Sequence, residues 1–117
     1  MISWAHEHEI RVYGATLMPF EGSFYFSAER EAYRQRVNAF IRSGAFDAVI
    51  DFEATARDSQ CPSRLSPAVD GGDCLHPSVN GHRILGESVD LSLFSDGLPD
   101  YGTAASMPSA GATNRAP

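Results

Sequence analysis

Two short apolar segments separated by a helical pattern constrain the fold of this chain more than any other feature. Residues 10–16 (IRVYGAT) and 46–52 (FDAVIDF) are short, strand-forming and flanked by helical patterns. Both are apolar on two sides, which is typical of parallel strands buried on both faces of a sheet. Parallel strands need a crossover connection, and the residues between the two segments supply one. The chain is therefore predicted to be an α/β protein with parallel strands.

The residues between the two strands predict an amphipathic helix. Ser27 is a favourable N-cap, Glu29 and Glu31 suit the positive first turn, and Ser43-Gly44 marks the end. Apolar residues at spacings of three and four predict a core-facing stripe of Tyr33, Val37, Phe40 and Ile41. The same pattern points three arginines towards solvent: Arg34, Arg36 and Arg42. The helix is predicted to serve packing alone.

Helices are also predicted near the two ends of residues 1–94. Residues 1–9 are typical of a helix end, with His6 and His8 solvated because residues two apart do not face each other on a helix. Ser78 is predicted to cap a closing helix that runs to Leu93, in which Gly81 allows close approach to a neighbour. The buried stripe of this helix is predicted to be Val79, Ile84, Leu85, Val89 and Leu93.

Asp51 and Glu53 fall at the carboxyl end of the second predicted strand, where alternation puts both side chains on one face. Two carboxylates on one face suggest paired acid–base chemistry. A helix cap or a polar loop anchor explains the same residues without shifted pKa values, and this interpretation is favoured.

Two long loops are candidates for the walls of a cleft. Residues 17–27 follow the first strand and are unusually aromatic, with Phe20, Phe24, Tyr25 and Phe26. These rings either line a substrate cleft or cover the sheet edge as an apolar cluster of their own, and the sequence favours neither. Residues 54–72 form the second predicted loop, and loops of that length in compact domains tend to be functional.

The clearest chemical signal is the segment Gly71-Gly72-Asp73-Cys74-Leu75-His76-Pro77. An acid three residues before a histidine can fold back, so that Asp73 accepts the Nδ1 proton of His76 and leaves Nε2 as a base. Asp and Gly are also ordinary turn residues, so the pattern alone is weak. Its place between a strand and a helix, where open α/β sheets bind ligands, favours a catalytic interpretation.

Four blocks of residues carry a likeness to a known family. They are Val12-Tyr13-Gly14-Ala15-Thr16-Leu17-Met18-Pro19-Phe20, then Tyr33-Arg34-Gln35 with Asn38 and Ile41-Arg42, then Phe46-Asp47-Ala48-Val49-Ile50-Asp51-Phe52-Glu53, and last Gly72-Asp73-Cys74-Leu75-His76-Pro77 with Gly81. In this order and spacing, residues 5–94 resemble the C-terminal part of the SGNH, or GDSL-like, hydrolase family. The resemblance implies the last two strands and the last helices of a flavodoxin-like three-layer α/β/α sandwich. It also implies that Asp51 is a structural anchor.

The same resemblance implies a serine ester hydrolase (a lipase, esterase or acylhydrolase) that acts on a small-molecule ester without a cofactor or metal. Asp73 and His76 match the family's last catalytic block. The family's nucleophile lies in an earlier Gly-Asp-Ser block, and its oxyanion-hole Gly and Asn follow in two further blocks. None of these blocks is found here. The one Gly-Asp pair of the chain, Gly72-Asp73, is followed by Cys74 and not by a serine.

The chain alone is therefore expected to be inactive. Its nucleophile is expected from an N-terminal hydrolase half, whether on another polypeptide or in a longer form of the gene product. The alternative is a truncated or decayed, non-catalytic fragment that associates through its exposed sheet edge.

Two cysteines, Cys61 and Cys74, lie thirteen positions apart on the same predicted long loop, both before His76. A disulfide between them would pin that loop, while two reduced thiols are the other possibility, and spacing does not decide between them. Cys74 as a nucleophile beside His76 is disfavoured, because side chains two residues apart on one loop tend to diverge.

Charge and composition limit the partners and the extent of the domain. The formal net charge of −6 is spread along the chain, which argues against nucleic acid or an anionic membrane surface as a partner. No signal peptide is predicted, so the chain as written is expected in the cytoplasm, although the resembled family is often secreted. Gly, Ala, Ser and Pro dominate from Ser95 onward, which predicts a domain over residues 1–94 and a disordered tail over 95–117.

Overall fold

A computed structural model describes residues 1–95 of the chain, as a mixture of helices and a small parallel sheet. The tail predicted over residues 95–117 lies, apart from Ser95, outside the described residues. In chain order, the elements are α1 (Ile2–Glu7), β1 (Tyr13–Ala15), α2 (Ala28–Ile41), β2 (Ala48–Ile50), α3 (Phe52–Ala56), α4 (Val79–Glu87) and a short 3-10 helix (Leu91–Phe94).

The two strands pair in parallel, and α2 is the crossover between them. Tyr13 lies opposite Ala48 and Ala15 opposite Ile50. This arrangement confirms the predicted parallel pair and the mixed α/β class, although both strands are shorter than the predicted segments. Just before the strands, the Asp47 N–H donates to the Val12 carbonyl at 3.0 Å, and the Asp47 carboxylate accepts the Val12 N–H at 2.7 Å.

Helix α2 begins as the sequence predicts, but it turns a different face to the protein. Ser27 is the N-cap and accepts a hydrogen bond from the Arg30 N–H. Of the predicted core stripe, Ile41 is buried, whereas Tyr33 and Phe40 are 54% and 56% exposed. Arg34, predicted to be solvated, is only 3% exposed. The predicted buried face was therefore right at Ile41 but wrong for the rest of the stripe and for Arg34.

A polar network explains which face of α2 is buried. The guanidinium of Arg34 donates to Glu31 and to Glu53, each at 2.6 Å. Asn38, which is fully buried, donates to Glu53 and accepts the Leu17 N–H. A buried charge is tolerated where it is paired and hydrogen-bonded, and Glu53 provides both for this face.

The described hydrophobic core lies between α3, the following loop and α4. Its buried members are Ala56, Leu65, Val69 and Leu85, with Met18, Phe52 and Ile84 packed against them. The predicted loop over residues 54–72 is therefore only partly a loop. Its first residues belong to α3, because Asp51 caps a helix there through the Ala54 N–H.

Helix α4 is capped by Ser78 as predicted, but it ends at Glu87 and not at Leu93. Asp90 starts the separate 3-10 helix by accepting the Ser92 N–H. Leu85 is buried, while Val79, predicted in the same stripe, is 91% exposed because it lies in the first turn beyond the core. Gly81 is buried against the Val69 carbonyl, which confirms the predicted close approach.

Helix α1 confirms the predicted solvated helix end. His6 and His8 are exposed, and His6 Nε2 lies 2.9 Å from an Asp47 carboxylate oxygen. The Trp4 ring stacks on the His8 ring with centroids 4.4 Å apart. Among residues 1–95, no helix has the length and apolar character that crossing a bilayer requires.

Candidate active site

The loop after Val69 brings Asp73 and His76 together as the sequence predicts. Asp73 Oδ1 accepts the backbone N–H of His76 at 2.8 Å and that of Leu75 at 3.0 Å. Asp73 Oδ2 lies 2.6 Å from His76 Nδ1. One oxygen therefore shapes the turn while the other holds the imidazole. The predicted fold-back is confirmed in its geometry, and the catalytic role of the pair stays a prediction.

Backbone contacts at the base of the loop hold this pair in place. The Gly71 N–H donates to the His76 carbonyl at 2.8 Å, and the Ser78 N–H donates to the Val69 carbonyl at 2.7 Å. Inside the turn, Asp70 accepts the N–H groups of Gly72 and Cys74. Gly72 has a φ of +106°, a conformation that glycine adopts without strain. The imidazole therefore extends from a braced turn.

The charge of Asp73 follows from these contacts. The hydrogen bond from His76 and the backbone N–H groups lower the pKa of this carboxyl to about 2. Asp73 is therefore ionised near neutral pH and can stabilise an imidazolium. The His76 side chain is 75% exposed, and within residues 1–95 no hydrogen bond engages its Nε2. Nε2 of His76 is therefore accessible to a ligand.

An apolar cavity of about 450 Å³ lies beside His76. Its walls include Met18 and Phe20 from the loop after β1, Tyr25 further along that loop, and Leu75 next to the histidine. Part of the aromatic loop therefore lines a cavity, and its role as the wall of a substrate cleft stays a prediction. Phe20 also packs edge-on against Phe26, with centroids 5.8 Å apart.

Asp51 and Glu53 lie apart from this cavity and form ion pairs. Arg42 reaches both carboxylates at 2.6 Å. Its hydrogen bonds lower the pKa of Asp51 to about 2. Burial opposes ionisation of Glu53, but the bonds from Arg42 and Arg34 leave its pKa lowered. Since neither carboxyl is poised to carry a proton, the favoured interpretation of Asp51 as a cap and anchor is confirmed.

The two cysteines are free thiols in the structure. Both line a separate cavity of about 370 Å³ that also contains Glu21 and Asp70. Burial and the nearby Asp70 charge raise the pKa of the Cys74 thiol, which disfavours the reactive thiolate. Cys74 and His76 line different cavities, as expected for side chains that diverge. Within residues 1–95, no three His, Cys, Asp or Glu side chains group as a metal site would need.

Sequence reasoning missed two features of the site. Leu75 and Arg30 both line the cavity beside His76, and neither was singled out. The position of Leu75 between the paired residues was an available signal. Arg30 lies in the first turn of α2 and reaches the cavity only through the path of the loop before it, which no local pattern encodes.

The comparisons with known proteins leave the family open. The chain matches no protein-family model and no curated protein sequence. The likeness to SGNH hydrolases therefore rests on the residue blocks in the sequence.

Proposed function

We propose that Asp73 and His76 are the acid–base part of a serine ester hydrolase site of the SGNH type, acting on a small-molecule ester. The observation that carries the proposal is the 2.6 Å contact between Asp73 Oδ2 and His76 Nδ1. The exposure of His76 and the apolar cavity beside it support the proposal, because a base must reach its substrate and an ester needs an apolar wall.

In this proposal, His76 Nε2 takes the proton of a serine hydroxyl as that oxygen attacks the ester carbonyl. Asp73 fixes the Nδ1–H tautomer and stabilises the imidazolium. The imidazolium then protonates the leaving alkoxide, and a water molecule repeats the sequence to release the acid. The serine and the oxyanion donors come from an N-terminal hydrolase half, on another polypeptide or on a longer form of this one.

The same proposal includes a larger sheet. Parallel strands buried on both faces occur in sheets covered by helices, and two strands alone make a marginal sheet. β1 and β2 would be the last two strands of a flavodoxin-like α/β/α sandwich. The short strands and the exposed apolar residues on α2 support this expectation.

Hydrolysis of p-nitrophenyl acetate tests the proposal in two forms of the protein. The 117-residue chain should hydrolyse the ester no faster than its His76→Ala variant. A longer in-frame form, or the chain co-expressed with a nucleophile-bearing half, should show turnover that His76→Ala abolishes. Turnover by the chain alone that requires His76 would place the nucleophile within it. Turnover by the complete form that survives His76→Ala would overturn the assigned role.

A second candidate function is association without catalysis. It is favoured by the exposed stripe of Tyr33, Val37 and Phe40 on α2, which is apolar surface of the kind that marks interaction sites. Sedimentation equilibrium of the purified chain would then show an apparent mass that rises with concentration. A monomer at every concentration would contradict self-association.

A further inference from the structure

A second apolar cavity adjoins the one beside His76. It has a volume of about 400 Å³ and lies between the loop after β1, the exposed side of α2 and the histidine turn. Four residues line both cavities: Met18, Phe20, Arg30 and Leu75. The two cavities are therefore parts of one groove that starts at His76 and continues along α2. A groove of this combined size holds a ligand larger than an acetyl group.

Within residues 1–95, the groove contains two arginines, and only one of them is paired with carboxylates. Arg34 also lines it, but its guanidinium is held by Glu31 and Glu53. Arg30 donates from Nη1 to the Tyr25 carbonyl at 2.7 Å. Among the described residues, no carboxylate forms an ion pair with Arg30. One uncompensated cation therefore lies where the two apolar cavities meet, and it would attract an anion.

We propose that this groove binds amphiphiles with an apolar body and one anionic group, and that Arg30 is the residue that selects the anion. The apolar body contacts Met18, Phe20 and Leu75, and the anionic group lies at Arg30. This inference rests on the proposed function and names its substrate class: esters that carry a separate negative charge. Arg30 is a specificity-determining residue in this scheme, since it takes no part in proton transfer.

The size of the expected selection follows from the exposure of Arg30. An exposed charge pair contributes little in water, so the anion should bind about two- to fivefold more tightly than a neutral ligand of equal length. The apolar body contributes more, since each buried methylene adds about fourfold to binding. Selection by Arg30 should weaken as salt screens the pair.

Binding of octanoate and of 1-octanol to the isotopically labelled chain tests the inference by amide NMR titration. Octanoate should bind more tightly than octanol, with shifts at Met18, Phe20, Arg30 and Leu75. Arg30→Gln should reduce octanoate binding to the octanol level, while Arg30→Lys, which keeps the charge, should retain the preference. Arg83→Gln is the matched control, because this arginine lies on α4 and pairs with Glu87.

Equal binding of the two ligands by the wild-type chain would overturn the inference, and so would a preference that survives Arg30→Gln. Shifts confined to other regions would also overturn it. The titration requires no nucleophile, so its result does not depend on hydrolysis. Carboxylate selection without hydrolysis by the complete form would refute the proposed function alone, whereas hydrolysis without selection would refute this inference alone.

Discussion

The two oxygens of the Asp73 carboxylate have separate roles, and this division makes a single substitution informative. Oδ1 accepts two backbone N–H groups, so in Asp73→Asn the amide oxygen should keep that position. The amide nitrogen would then face His76 Nδ1 and donate to it. The imidazole should change from the Nδ1–H tautomer to the Nε2–H tautomer, which places a proton on the nitrogen that would act as the base in the proposed mechanism.

Nitrogen-15 NMR of the neutral imidazole measures this change directly. His82 is a suitable internal control, because it is exposed on α4 and, within residues 1–95, makes no hydrogen bond to Asp73. The same tautomer of His76 in both proteins would show that Asp73 does not orient the ring.

At the residue scale, the sequence predicted the contact between Asp73 and His76 but not which residues of α2 are buried. Asp73 and His76 are three residues apart, and a turn alone brings them together. The burial of Arg34 and Asn38 depends on Glu53, which lies on another element. Hydrophobic periodicity ranks side chains by their own polarity and carries no information about distant partners. It therefore assigned α2 the wrong buried face.

At the scale of elements, helix α4 contains two glycines in contrasting environments. A methyl group at Gly81 would lie far inside van der Waals contact with the Val69 carbonyl, whereas one at Gly86 would meet nothing within 4 Å. Gly81→Ala should lower the free energy of unfolding by about 1–3 kcal/mol, the usual cost of overpacking. Gly86→Ala should raise it by up to about 1 kcal/mol, because alanine favours the helix.

Urea denaturation of the two variants separates packing from helix propensity. Equal effects of both substitutions would mean that α4 does not pack closely on the residues around Val69. Only one boundary of α4 was predictable from the sequence. Ser78 correctly predicted the start, whereas the apolar pattern continues to Leu93 and predicted too late an end. After that end, Asp90 caps a separate 3-10 helix.

At the scale of the whole molecule, the ion pairs around Glu53 join α2 to the residues that follow β2. The pKa of Asp51 falls from the ordinary 3.8 to about 2, so the folded carboxylate stays charged where the unfolded one binds a proton. Its contribution to stability is complete above about pH 4 and is lost as the pH falls towards about 2. The free energy of unfolding should therefore decrease over this interval.

Asp51→Asn removes this titration, while asparagine can still cap α3. The variant should show a shallower pH dependence between about pH 4 and pH 2, measured as urea unfolding free energies at successive pH values. Identical slopes for the variant and the wild-type chain would contradict the assignment of Asp51 as an acid-sensitive anchor.

The exposed stripe on α2 leads to a second prediction for the whole molecule. Val37, which is 42% exposed, lies between Tyr33 and Phe40, whereas Val79 is exposed at the start of α4. If the stripe drives association, Val37→Ser should weaken it in sedimentation equilibrium and Val79→Ser should leave it unchanged. Similar effects of both substitutions would indicate nonspecific attraction between exposed apolar side chains.

The stacking of Trp4 on His8 determines what an optical experiment on this protein can observe. Trp4 is the single tryptophan of the chain, and it lies on α1, away from the core between α3 and α4. Its emission therefore reports the release of the first helix, while far-ultraviolet circular dichroism is dominated by the longer helices. Melting curves from the two signals should separate if α1 detaches early. Tryptophan emission therefore follows the N-terminal helix and does not report on the core between α3 and α4.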